Sequence, residues 1–198
     1  MKSMNHFIVS VPKTHEDSII TSSGVEIAID PKWNQFEHRV CYGEIVSVPE
    51  KHDTGAQLGD TLFFHHHVTT SANLNAGESM YAVFYDDKNG YNGHGIAYRR
   101  RSDGVLIMLS DWVFMTPVEE KPEDRVSSTG VIVELGIHNK TKRRATIHTA
   151  NEELLSYGVL PGDVVGFDVN SDYRMKLDNG DVVYRMKAKD ISYVEAQQ

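Results

Sequence analysis

The chain has 198 residues, 40% of them hydrophobic, which is enough for folded cores in one large or two small domains. Its formal net charge of −8 argues against a nucleic-acid binder, because neutralising phosphates takes clustered Lys and Arg. No apolar run approaches the length of a membrane span, the segment MKSMNHF lacks the apolar core of a signal peptide, and one cysteine forms no internal disulfide, so the expectation is a cytoplasmic protein.

Strand signals dominate in chain order. HFIVSV (6–11) is β-branched and aromatic, and Pro12 ends it. VCYGEIVSV (40–48) carries Gly43 inside it, the mark of a bulge or a close backbone approach. TLFFHHHV (61–68), YAVFY (81–85), GIAYRR (95–100), GVLIML (104–109) and WVFM (112–115) follow. The second half adds GVIVEL (130–135), ATIHTA (145–150), DVVGFDV (163–169), VVYRM (182–186) and ISYV (191–194). EELLSYG (152–158) is the one helical turn, with Gly158 as its stop. Many short strands at close spacing predict an all-β chain of small barrels or sandwiches.

The sequence says nearly the same thing twice. LGDTLFF (58–64) is matched by PGDVVGF (161–167), and DGVLIMLSDWVFMTPVE (103–119) by NGDVVYRMKAKDISYVE (179–195). Between the copies, EEKPEDRVSS (119–128) has the charge and proline of a linker. The expected division is a first unit over 1–118, a linker over 119–128 and a second unit over 129–198. Only the first copy holds a long early loop (16–37) and a Tyr-rich insertion (68–94), where Asn89-Gly90 signals a type I′ hairpin turn.

The order of these segments resembles the GroES (chaperonin-10) co-chaperonin family. The first copy offers HFIVSV, SSGVEIAID (22–30), YGEIVSV (42–48), LGDTLFF, GVLIM (104–108) and DWVFMTPVE (111–119). The second offers GVIVEL, ATIHTA, PGDVVGF, VVYRM and DISYVE (190–195). The tandem arrangement is similar to that of the double-domain co-chaperonins of chloroplasts, and the insertion to divergent bacteriophage co-chaperonins. The resemblance implies two tandem GroES-like small β-barrels and a homo-oligomeric ring. That ring would cap an ATP-driven, GroEL-like chaperonin and enclose an unfolded client protein. It also implies a mobile loop whose anchor is a Gly followed by three apolar residues, here Gly24, Val25, Glu26 and Ile27, with Ile29 beyond. Glu26 departs from that pattern. In an extended segment Val25 and Ile27 point the same way and Glu26 the other. The alternation in VEIAID equally describes an ordinary half-buried strand.

His65-His66-His67 invites a metal reading, with His94 as a further ligand. On a strand His65 and His67 share one face about 7 Å apart, but no Cys or Glu-x-x-His motif accompanies them, and the expectation is polar histidines at a cavity or a subunit contact, without a metal. Cys41, among apolar neighbours, reads as a small hydrophobe rather than a nucleophile. Nucleophile-elbow, Walker, Cys-x-x-Cys and dinucleotide motifs are absent from the sequence, so neither catalytic residues nor a cofactor are expected. The alternative to a co-chaperonin is a non-enzymatic structural or assembly β protein, a viral particle component for example, using the same barrel without a chaperonin.

Overall fold

The computed structural model describes residues 2–16, 18–21, 23–28, 30, 38–86, 93–118, 142–168 and 171–195. The linker at 119–128, the strand expected at 130–135, Ile29 and the Asn89-Gly90 turn lie outside them.

The first half forms β1 (His6–Ser10), β2 (Ser18–Ile20), β3 (Glu26–Ala28), β4 (Tyr42–Ser47), β5 (Thr61–Phe64), β6 (Asn75–Gly77), β7 (Met80–Phe84), β8 (Gly95–Arg99), β9 (Leu106–Met108) and β10 (Trp112–Pro117). The second forms β11 (Lys142–Thr149), the short helix α1 (Glu152–Ser156), β12 (Val164–Asp168), β13 (Tyr173–Lys176), β14 (Val182–Lys187) and β15 (Ile191–Val194). All named strand pairings are antiparallel. They make a seven-stranded sheet in the order β6-β7-β1-β4-β5-β8-β9, a six-stranded sheet in the order β13-β14-β10-β11-β12-β15, and a separate hairpin of β2 and β3. No described helix is long and apolar enough to cross a membrane.

The Gly-Asp repeat is real at the level of atoms. Gly59 (φ 87°) and Gly162 (φ 99°) take the left-handed turn that glycine adopts freely. Gly59 N–H donates to Ile45 O at 2.9 Å and Ile45 N–H to Asp60 O at 2.8 Å; Gly162 and Ile147, then Ile147 and Asp163, do the same at 2.8 Å each. The buried carboxylates also match. Asp60 Oδ2 accepts from Gln57 N–H and Asp163 Oδ2 from Leu160 N–H, both at 2.8 Å. The strands leaving these turns each carry a bulge at the same place, between Phe63 and Phe64 and between Gly166 and Phe167.

The fold departs from two GroES-like barrels, because neither sheet closes among the described residues. The end strands β6 and β9 are not paired to each other, and neither are β13 and β15. The physical reason is the destination of β10. In the sequence it ends copy one; in space it pairs with β11 and β14. Met115 faces Ile147 across a bulge after Phe114, as Val9 faces Ile45 across a bulge after Ile8. β10 therefore occupies in the six-stranded sheet the place that β1 occupies in the seven-stranded one, and among the described residues no other strand closes the first sheet.

Three apolar clusters hold this arrangement. Phe7, Val9, Ile45, Leu62, Phe64 and Val83 form the core of the seven-stranded sheet. Val113, Met115, Ile147, Val165, Phe167 and Met186 form that of the six-stranded sheet. The third, with Phe63, Ile96 and Met108 from the first sheet and Phe114, Leu177 and Val183 from the second, joins the two. Phe63 and Phe114 meet edge to face there, with centroids 6.3 Å apart. Strand alternation explains the division: Phe64 points into its own sheet's core and Phe63 out to the seam.

Candidate functional site

The seam between the sheets opens into a cavity of about 440 Å³. Its wall from the first half is Cys41 with His65, His66 and His67; the second half contributes Tyr173, Met175 and Arg185. The strand expected over 61–68 stops at Phe64, and His66–Thr69 forms a 3-10 turn, capped by His65 Nδ1 accepting from His67 N–H at 3.3 Å. The histidines therefore do not alternate across a strand. Their three rings crowd together, with centroids 4.2, 4.5 and 4.2 Å apart, and one nitrogen of each lies within 4.8 Å of the others. His94 sits behind them, its carbonyl accepting from His65 N–H at 2.9 Å.

Arg185 is the residue that sequence reasoning missed. It is 3% exposed on β14, between Phe114 of β10 and Tyr173 of β13. Its guanidinium lies over the rings of Trp112 (5.4 Å) and Tyr173 (5.1 Å). Nη2 meets His66 Nδ1 at 3.4 Å, and Nη1 is buried without a hydrogen-bond partner among the described residues. No carboxylate pairs with it among the described residues. The signal was parity: Val183 and Arg185 share the strand face that looks into the seam.

The electrostatics are one-sided. Burial, then the charge of Arg185 and the neighbouring histidines, pushes His65 down to about 2. Burial, then His67, Arg185 and Arg39, pushes His66 down to about 4. These two imidazoles are neutral at pH 7, each with one N–H to donate. Burial holds the Cys41 thiol up at about 11, against the pull of Arg185 and Arg39, so it is no nucleophile at neutral pH. Three clustered imidazoles have the donor chemistry of a zinc or copper site. The guanidinium opposes it: Nη2 lies 3.4 Å from His66 Nδ1, so a dication held by that imidazole would be repelled by a second positive charge close by.

The residues singled out in the early loop lie elsewhere, on the β2–β3 hairpin. Gly24 (φ 81°) makes its turn, Thr21 N–H donates to Val25 O at 2.9 Å, and Ser18 Oγ donates to Glu26 Oε1 at 2.5 Å. Val25 is 57% and Ile27 47% exposed. At the hairpin's base a second cavity, about 550 Å³, is lined by Val11, Pro12, Lys13, Val40 and Tyr42 among others.

No family model matches the chain, and no curated protein matches it. With both sheets open as well, the resemblance to the GroES co-chaperonins is not upheld, and the chaperone reading and the capping of a chaperonin ring that rested on it fall with it.

Proposed function

We propose that this chain is a non-enzymatic structural or assembly β protein that associates with further copies of itself through the β2–β3 hairpin. The observation that carries this reading is the hairpin itself. Among the described residues it pairs with neither large sheet, and it holds two large apolar side chains, Val25 and Ile27, in solvent. An isolated two-stranded hairpin is marginal in water, and apolar side chains displayed on one gain by being covered. The cavity at its base has apolar walls in Val11, Val40 and Tyr42, set among the charged side chains Lys13, Glu16, Glu44 and Asp178. A knob and a cavity on one molecule make a contact that propagates from copy to copy, closing as a ring or pair or extending as a filament.

Light scattering on the eluting protein tests this. The wild type is expected well above the 22.3 kDa of one chain, and the Val25→Asp/Ile27→Asp variant at one chain with unchanged circular dichroism. A wild type at monomer mass, or a variant that assembles as before, refutes it.

A further inference from the structure

We propose that the seam cavity is a binding site for a small oxyanion, a phosphate- or carboxylate-bearing molecule, clamped by the edge of the Arg185 guanidinium and by imidazole N–H groups of the three histidines. Trp112 and Tyr173 cover the guanidinium, so its edge is left to bond. On that edge Nη2 has a long contact to a histidine and Nη1 has no hydrogen-bond partner among the described residues. A buried guanidinium with no counter-charge is costly, and one partner with two oxygens removes that cost by forked hydrogen bonds.

Two further guanidinium side chains lie near: Arg174 also lines the cavity, and Arg39, which donates to Thr69 Oγ1 at 3.0 Å, is close enough to bear on His66. Arg185 bears on both His65 and His66, and Arg39 bears on His66 as well, in a protein whose net charge is −8. The neutral imidazoles supply N–H donors without adding repulsion of their own. A metal ion would need the same histidines, yet Arg185 already points at His66 Nδ1, where a cation is repelled and an anion attracted. The site draws on both halves of the chain, so it exists only when the two sheets are packed, and it does not depend on whether the hairpin drives assembly.

Titrations of the folded protein with inorganic phosphate, and separately with acetate, decide the matter. Sodium chloride holds the ionic strength fixed, and the histidine ring resonances and the melting temperature are followed. Saturable shifts of the His65, His66 and His67 resonances with a rise in melting temperature are expected. Saturation by phosphate alone marks a phosphate group as the ligand, and saturation by acetate a carboxylate. Arg185→Met is expected to weaken binding about ten- to a hundredfold, the worth of a charge-assisted hydrogen bond. Should that variant not fold, Arg185→Lys keeps the charge, loses the fork and is expected to weaken binding in the same direction. Saturation by neither anion overturns the proposal. So does zinc that saturates the same resonances while phosphate and acetate leave them unmoved.

Discussion

Truncating Phe63 to alanine tests whether the seam joins the two sheets into one cooperative unit. Phe63 is fully buried, lies edge to face with Phe114, and carries Arg99 over its ring at 5.8 Å. Arg99 in turn reaches across to Asp178 at 3.0 Å. Removing a fully buried phenylalanine side chain costs about 3–5 kcal/mol in lost transfer energy and cavity. Phe114→Ala costs a similar amount from the other side. The edge-to-face pair adds roughly 0.5–1.5 kcal/mol that either truncation already removes, so the double variant falls short of the sum by about that much. Urea unfolding followed by tryptophan fluorescence and by circular dichroism measures all four corners of the cycle. A single transition, coincident by both probes and displaced in each variant, is expected. Two separate transitions, with Phe63→Ala moving only one, would refute the welded seam.

Three further outcomes follow from the same geometry. Asp60→Ala removes the acceptor of Gln57 N–H and, at 2.9 Å, of Arg101 N–H. It should cost about 3 kcal/mol, and Asp163→Ala should likewise destabilise in the same urea assay. Stability should fall as pH drops below about 6.5 in anion-poor buffer. Because His65 and His66 are held neutral when folded, with values of about 2 and about 4, the unfolded chain binds protons first and the loss continues through that window. His65→Gln/His66→Gln should flatten the profile, and an unchanged slope would contradict it. Cys41, with its thiol held up at about 11, should react with iodoacetamide at pH 8 much more slowly than the same thiol in urea; equal rates would show that burial does not protect it.

The strands were readable because alternation, β-branching and turn residues are local. β1, β4, β8 and β15 appear within a residue or two of the expected runs, and Gly43 makes the close approach its position suggested, a Cβ there meeting Ser10 O at 2.6 Å. The repeated Gly-Asp turn was readable for the same reason. Pairing over long distance was not. The likeness of DWVFMTPVE to DISYVE placed β10 at the end of copy one, whereas Phe114 and Met115 stand where Ile8 and Val9 stand. Nothing local distinguishes a last strand from a first one, and the barrel expectation failed at that step. The site was half legible. His65 to His67 were conspicuous, but their convergence depends on the strand ending at Phe64, and Arg185 reads as an ordinary outward residue until its face is fixed by Val183.

Assembly through the hairpin is the central claim, and a directed cross-link tests it most directly. In a Cys41→Ser background, one preparation carries Ile27→Cys on the hairpin and a second carries Lys13→Cys at the exposed rim of the cavity beside its base. Each preparation alone has a single thiol, so a mixed disulfide forms only between copies. The expected result is a disulfide-linked pair of unlike chains under mild oxidation, appearing at low concentration and lost when Val25→Asp is added. Recovery of monomers only, or of no more mixed pairs than random collision in urea produces, would contradict it.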